Sequence, residues 1–130
     1  MIMLKGIRKV YSETKREPRV VLKHVNLVVG DEVSIAICGR SGSGKTTLLR
    51  ILSGMDQDFE GEYWFDEEVC SRYSASEFAS FRRDNIGIIT QQFDLLEDRN
   101  VYENIVLSIN NQKLSKSEKK ERVSKSLEYV

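Results

Sequence analysis

Apolar positions along this chain alternate with polar ones in some stretches and recur at helical spacing in others. The changeovers fall at glycines or at side chains suited to capping a helix. From Val20 to Val29 the run is β-branched, with Val25, Leu27 and Val29 alternating against Asn26 and Val28, which predicts a strand closed by a turn at Gly30-Asp31. Val33 to Cys38 (VSIAIC) is a short apolar run between charged and glycine residues, the pattern of a strand buried on both faces. Lys45 to Ser53 carries Leu48, Leu49, Ile51 and Leu52 and stops at Gly54, which predicts a helix with a glycine C-terminal cap. Gly61 to Asp66 and Ile86 to Thr90 (IGIIT) predict two further strands, the second short and buried. Three pairs spaced i, i+3 announce helix starts: Ser74 with Glu77, Asn100 with Glu103, and Ser115 with Glu118. The second of these helices runs through Ile105 and Leu107. The last places Val123, Leu127 and Val130 on one face and is still running at the chain's final residue. With no internal repeat, no linker-like segment and one proline, Pro18, a single compact unit is expected.

The segment between the second predicted strand and its helix carries chemistry. GRSGSGKTT satisfies G-x-x-x-x-G-K-[ST] with Gly39, Gly44, Lys45 and Thr46, in the strand, loop, helix order that a phosphate-binding loop requires. Gly39, Gly42 and Gly44 allow positive φ and close approach of main-chain N–H groups to phosphate oxygens. The amino end of the helix adds unpaired donors and a partial positive charge. Lys45 supplies a point charge for the β- and γ-phosphates, and the Thr46 hydroxyl is placed to ligate Mg²⁺. The fold class is therefore α/β of the P-loop NTPase type.

Charge and composition narrow the partners. Lysine and arginine number 20, as do aspartate and glutamate, so the chain lacks the basic excess of a nucleic-acid binder, and nucleic acid is not an expected partner. Cys38 and Cys70 match no metal or redox spacing and are expected as free thiols in a reducing cytoplasm. The first residues lack the apolar core of a signal peptide, and no apolar run approaches the ~18 residues needed to cross a bilayer, so no direct membrane insertion is expected.

Beyond the loop itself, the chain resembles the ATP-binding subunits of ABC transporters along essentially its whole length. The serine-rich loop Ser41-Gly42-Ser43-Gly44-Lys45-Thr46-Thr47-Leu48-Leu49 looks like the family's Walker A, and VLKHVNLVVGDEVSIAICG like its lead-in. IGIITQQFDLL looks like the Q-loop region and places its glutamine at Gln91, while Tyr11 matches the aromatic position on which the family stacks adenine. Phe93, Leu95-Leu96 and Val101-Tyr102-Glu103-Asn104-Ile105 are most similar to the subgroup serving lipoprotein release, macrolide export and antimicrobial-peptide export. The resemblance implies ATP and Mg²⁺ as ligands. It implies that Tyr11, Gly39, Ser41, Gly42, Ser43, Gly44, Lys45, Thr46 and Thr47 bind the nucleotide. Thr46 and Gln91 would hold the metal, and Lys45 and Gln91 would act at the γ-phosphate. It also implies a membrane permease contacted through the segment after Gln91, a second ATP-binding subunit or a C-terminal half as partner, and a place peripheral to the inner face of the plasma membrane.

The chain also departs from that pattern. It has no LSGGQ-type signature, acidic Walker B strand, catalytic glutamate or switch histidine, and LSKSE at Leu114 to Glu118 lacks the paired glycines of the signature. It reads as the N-terminal half of the domain, able to hold Mg-ATP but not to hydrolyse it alone. In related sheets the strands at VSIAIC and IGIIT are flanked by later parts of the chain, so an isolated half is expected to be marginal. Each buried main-chain group left unpaired costs about 1–3 kcal/mol. A non-catalytic nucleotide-binding or regulatory module and an inert truncated remnant stay open as alternatives. His24, the one histidine, reads as structural, Cys38 as a small buried hydrophobe, and the lysine-rich run from Lys113 to Lys125 as a solvated helix face.

Overall fold

A computed structural model describes residues 1–12, 17–91, 95–110 and 112–129. They separate into two compact units, Met1–Ile88 and Ile89–Val130, where the sequence pattern predicts one. The calls on Phe93 and Val130 lie outside the described residues, as does Gln92 beside Gln91.

In the first unit, strands β1 (Ile2–Tyr11), β2 (Arg19–Val29), β3 (Glu60–Phe65) and β4 (Glu68–Val69) form an antiparallel sheet in the order β2-β1-β3-β4. The central strand, β1, has no counterpart among the sequence expectations, for a physical reason. Its inward residues are Leu4, Ile7 and Lys9, so a strict period of two fails between positions 4 and 7, where the register shifts. β2 shifts in step: His24 takes a left-handed conformation (φ 50) and is exposed, leaving Leu22, Val25 and Leu27 directed toward the core. The Asn26 side chain closes the irregularity by accepting a hydrogen bond from the Gly6 N–H at 2.8 Å. The solitary histidine is thus a bulge residue, in keeping with a structural role.

Helix α1 (Lys45–Leu52) and helix α2 (Ala75–Asn85) complete this unit. The cap of α1 matches the sequence pattern: Ser53 N–H donates to the Leu49 carbonyl, Gly54 N–H to that of Ile51, and Gly54 sits at φ 69. α2 opens with the expected capping box, Ser74 and Glu77 each bonding the other's main chain. Its Phe78 and Phe81 insert into a core of Leu4, Ile7, Leu22, Ile51, Tyr63 and Cys70. Ring centroids of Tyr63, Phe65, Tyr73, Phe78 and Phe81 lie 5.0–6.3 Å apart at tilted or edge-on angles. Such pairs contribute about 0.5–1.5 kcal/mol each beyond the area they bury. The fully buried Tyr63 hydroxyl donates to the Leu52 carbonyl at 2.9 Å, and Arg82 Nη1 to the Gly54 carbonyl at 3.0 Å. The carboxyl end of α1 is therefore held by both the sheet and α2.

Two expected strands do not form. Segments 33–38 and 86–90 are not among the four strands of the described sheet, and their side chains are exposed or half-buried, Ile35 at 46% and Ile89 at 102%. Cys38, expected as a buried hydrophobe, is exposed, while Cys70 is buried. An apolar run becomes a buried strand only when neighbouring strands pair its main chain and cover both faces, and neither segment joins the order β2-β1-β3-β4.

The second unit contains α3 (Val101–Leu107) and α4 (Lys116–Glu128), each opened by a complete capping box at Asn100/Glu103 and Ser115/Glu118. Val123 is buried, whereas Leu127, expected on the same face, is exposed, and α4 ends at Glu128 with Tyr129 as its cap. Asn104 organises the segment before α3. Its Oδ1 accepts from the Leu96 N–H at 2.9 Å, and its Nδ2 donates to the carbonyls of Leu96, Arg99 and Asn100, each at 3.1 Å. Among the described residues no helix is long and apolar enough to cross a membrane.

Candidate functional site

The glycine loop is seated on the sheet by one close approach. Gly44, at φ 94, is the N-cap of α1, and a Cβ there would stand 3.1 Å from the Val21 carbonyl oxygen and 2.9 Å from Leu22 Cδ2. A side chain at this position would be both strained and obstructed by β2. The amino end of α1 thus rests directly on Val21 and Leu22.

Lys45 leaves the helix at its first position and folds back over the loop, its ammonium donating to the carbonyls of Gly39 and Arg40, both at 2.8 Å. An ammonium has three protons to donate, so a third remains for an acceptor approaching the loop. The Ser43 N–H donates to the Arg40 carbonyl at 3.2 Å, and the Leu48 N–H to that of Gly44 at 2.8 Å, so loop and helix form one hydrogen-bonded piece.

A cleft of ≈ 520 Å³ opens over this piece. That volume is suited to a nucleotide-sized ligand. Ser41, Gly42, Gly44, Lys45, Thr46 and Thr47 line one side of it and Tyr11 another, so the structure brings together seven of the residues that the sequence nominates. Gly39 and Ser43 shape the loop without lining the cleft. Gln91 is exposed and belongs to the second unit, so its nomination rests on the family resemblance. Glu17, Arg19 and Val21 also line the cleft and were not foreseen. The signal that finds Arg19 is strand register: it pairs directly with Tyr11 across β1 and β2. Sequence spacing alone does not contain that pairing.

Beside Tyr11 lies a charge cluster that sequence reasoning also missed, built on the buried Lys9 with the largely buried Asp56 and the exposed Asp58. Lys9 is only 3% exposed, and its ammonium donates to Asp56 Oδ1 at 2.8 Å, to Asp58 Oδ2 at 3.1 Å and to the Asp58 main-chain carbonyl. Burial acts to lower the Lys9 pKa, but the hydrogen bonds it donates to Asp56 and Asp58 outweigh it and leave the pKa raised, so the group is charged. No three His, Cys, Asp or Glu side chains among the described residues cluster into a metal site made by protein alone. A Mg²⁺ ion here would depend on phosphate oxygens and a hydroxyl such as that of Thr46, a donor set suited to that hard cation.

Comparison with known proteins agrees with this geometry. A family model described as ABC transporter matches residues 22–130. The methionine import ATP-binding protein MetN of Francisella tularensis subsp. holarctica (strain OSU18) is 35% identical over 130 residues, covering 100% of this chain and 37% of MetN. The macrolide export ATP-binding/permease protein MacB 1 of Aeromonas hydrophila is 38% identical over 107 residues, 82% of this chain and 16% of MacB 1. Among solved structures, the dimeric post-hydrolysis state of the ATP-binding cassette MJ0796 bound to ADP and Pi superimposes with a TM-score of 0.88 at 33% identity. That match covers 98% of this chain and 56% of MJ0796. The chain thus spans about half or less of the length of the relatives it matches. With the loop, the α/β architecture and these similarities taken together, the chain belongs to the ABC transporter family and corresponds to the N-terminal portion of its ATP-binding domain.

Proposed function

We propose that this chain binds Mg-ATP in the cleft over the glycine loop, as the nucleotide-holding portion of a transport ATPase that works with a membrane permease. The observation that carries the reading is the convergence of Tyr11 with the loop residues Ser41 to Thr47 around one cleft of nucleotide size. Main-chain donors of the loop and the amino end of α1 receive the phosphates, and Lys45 neutralises the β- and γ-phosphate charge. Thr46 would contribute its hydroxyl to Mg²⁺, and the family resemblance nominates Gln91 as a further ligand and as the residue that would report the γ-phosphate. Tyr11 stacks on the base. Bound Mg²⁺ would withdraw charge from the γ-phosphate. The residues of the cleft hold and orient the nucleotide, and apart from Glu17 none is a carboxylate that could take a proton from water.

Binding without turnover is the behaviour we propose for this chain alone, since phosphoryl transfer needs a positioned nucleophile as well as a held nucleotide and the sequence carries no signature or acidic Walker B pattern. The segment after Gln91, with Leu95, Leu96, Val101 and Tyr102 exposed, is the surface that would meet the permease on the cytoplasmic face of the membrane. A second ATP-binding subunit is the natural partner for the nucleotide face, given that the MJ0796 cassette forms are dimeric. The import and export relatives match at similar identity, and the direction of transport is left open.

A thermal melt with and without MgATP tests the binding. Ligand at 100 times its Kd adds about 2.7 kcal/mol to a folded state that binds it, so the wild-type transition should rise while that of Lys45→Ala stays put. Equal shifts in both proteins, or none in either, would refute the reading. Steady-state ATP turnover at a rate typical of transport ATPases, abolished by Lys45→Ala, would refute the claim of binding without hydrolysis.

A further inference from the structure

We propose that Lys9, clamped by Asp56 and Asp58, is a positioning residue for the Tyr11 ring, so that the base platform and the phosphate loop are set by opposite ends of the same helix. The inference rests on the nucleotide reading above and adds a determinant of base recognition that does not itself line the cleft.

Tyr11 is the last residue of β1 and is 41% exposed, so neither strand pairing beyond it nor burial fixes its ring. Two contacts do. Its hydroxyl donates to Asp56 Oδ2 at 3.4 Å, and the Lys9 ammonium lies 5.0 Å from its ring centroid, within the range of a cation–π attraction. Asp56 is the common element, with Oδ1 on Lys9 and Oδ2 on Tyr11. Its position is dictated in turn by α1: the Met55 and Asp56 N–H groups donate to the Arg50 carbonyl at 2.8 and 3.1 Å. Asp58 braces the turn, its N–H donating to Asp56 Oδ1 at 3.1 Å. The chain of contacts therefore runs from Lys45, at the phosphate end of α1, through the helix to Arg50, the Asp56 turn, Lys9 and Tyr11.

Lysine is rarely buried to this degree, and replacing a buried ion pair with apolar groups is often neutral or stabilising. Simple attachment of β1 to the turn after α1 would not require a charge at position 9. An ammonium placed against the ring, which also holds Asp56 ready for the phenol hydroxyl, does require one.

The test compares binding of MgATP with that of magnesium tripolyphosphate, which lacks a base, by titration calorimetry on the full chain. Lys9→Met should weaken MgATP about 3–10-fold, the scale of one aromatic contact, and leave tripolyphosphate unchanged. Lys9→Arg should restore most of the loss, and Lys9→Met should add nothing in a Tyr11→Ala background. Because Lys9→Met strands the largely buried Asp56 carboxylate, the paired variant Lys9→Met/Asp56→Asn, which removes both charges of that ion pair, is measured beside it and should show the same selective loss. Parallel weakening of both ligands, an unchanged ratio, or failure of both variants to fold would overturn the positioning role and leave the cluster purely structural. A wild-type chain that binds neither ligand would sink the nucleotide reading, and one that binds both equally would sink base stacking by Tyr11.

Discussion

Replacing Gly44 by alanine separates two contributions that the glycine loop combines. The first is conformational: at φ 94 an L-residue incurs the left-handed penalty, about 1–2 kcal/mol. The second is steric, because the added methyl would stand 3.1 Å from the Val21 carbonyl oxygen, 2.9 Å from Leu22 Cδ2 and 3.2 Å from Val21 Cγ1. Leu22 is buried in the core and the Val21 oxygen is part of β2, so neither gives way freely, and overpacking of this kind costs about 1–3 kcal/mol. Together these predict a loss of about 2–5 kcal/mol, a large part of the roughly 5–15 kcal/mol that stabilises a domain. Gly42→Ala supplies the comparison. It carries a similar φ of 75 but meets only the flexible end of Arg19 at 4.0 Å, so the conformational share alone is expected. Urea denaturation measures both. With a slope of about 2 kcal/mol per M, the Gly44 variant should lose ~1–2.5 M from its midpoint and the Gly42 variant ~0.5–1 M. Equal losses at the two positions would refute the claim that the loop is seated by close packing on β2.

Other expectations follow from single contacts. Tyr63→Phe removes the hydroxyl that holds the Leu52 carbonyl and should cost about 1 kcal/mol in denaturant midpoint without altering the emission of Trp64 in the folded state. Ile35→Ala should change stability by less than about 0.5 kcal/mol, because the side chain is exposed, whereas a residue in a buried strand would cost about 2–5 kcal/mol. The Ser74 hydroxyl and N–H hold the Glu77 carboxylate below its ordinary pKa, so its contribution is complete above the ordinary glutamate range. It is lost as pH falls through the depressed folded value, and Glu77→Gln should flatten the acid limb of a pH–stability curve. Asn104→Ala removes the side-chain partner of the Leu96 N–H and of the Arg99 carbonyl, and amide exchange at Leu96 should accelerate while that of α4 does not.

What the sequence determined by itself was local. The starts of α2, α3 and α4 were legible because a capping box joins residues three apart, and the first turn of a helix forms from little else. The phosphate loop was legible for the same reason: glycines, lysine and threonine act within nine consecutive residues, and their spacing is their geometry. The tertiary structure alone decided whatever depends on residues brought from far along the chain. β1 escaped notice because paired irregularities at Gly6 and His24 break the alternation that marks a strand, and those are visible only in the register of two strands. VSIAIC looked buried because its composition suits burial, yet burial is conferred by neighbours, and none of the described strands pairs with it. Arg19 entered the cleft through its pairing with Tyr11, and Lys9 reached Asp56 across 47 positions. No pattern of spacing encodes such meetings, because folding sets distances in space that distances along the chain leave free.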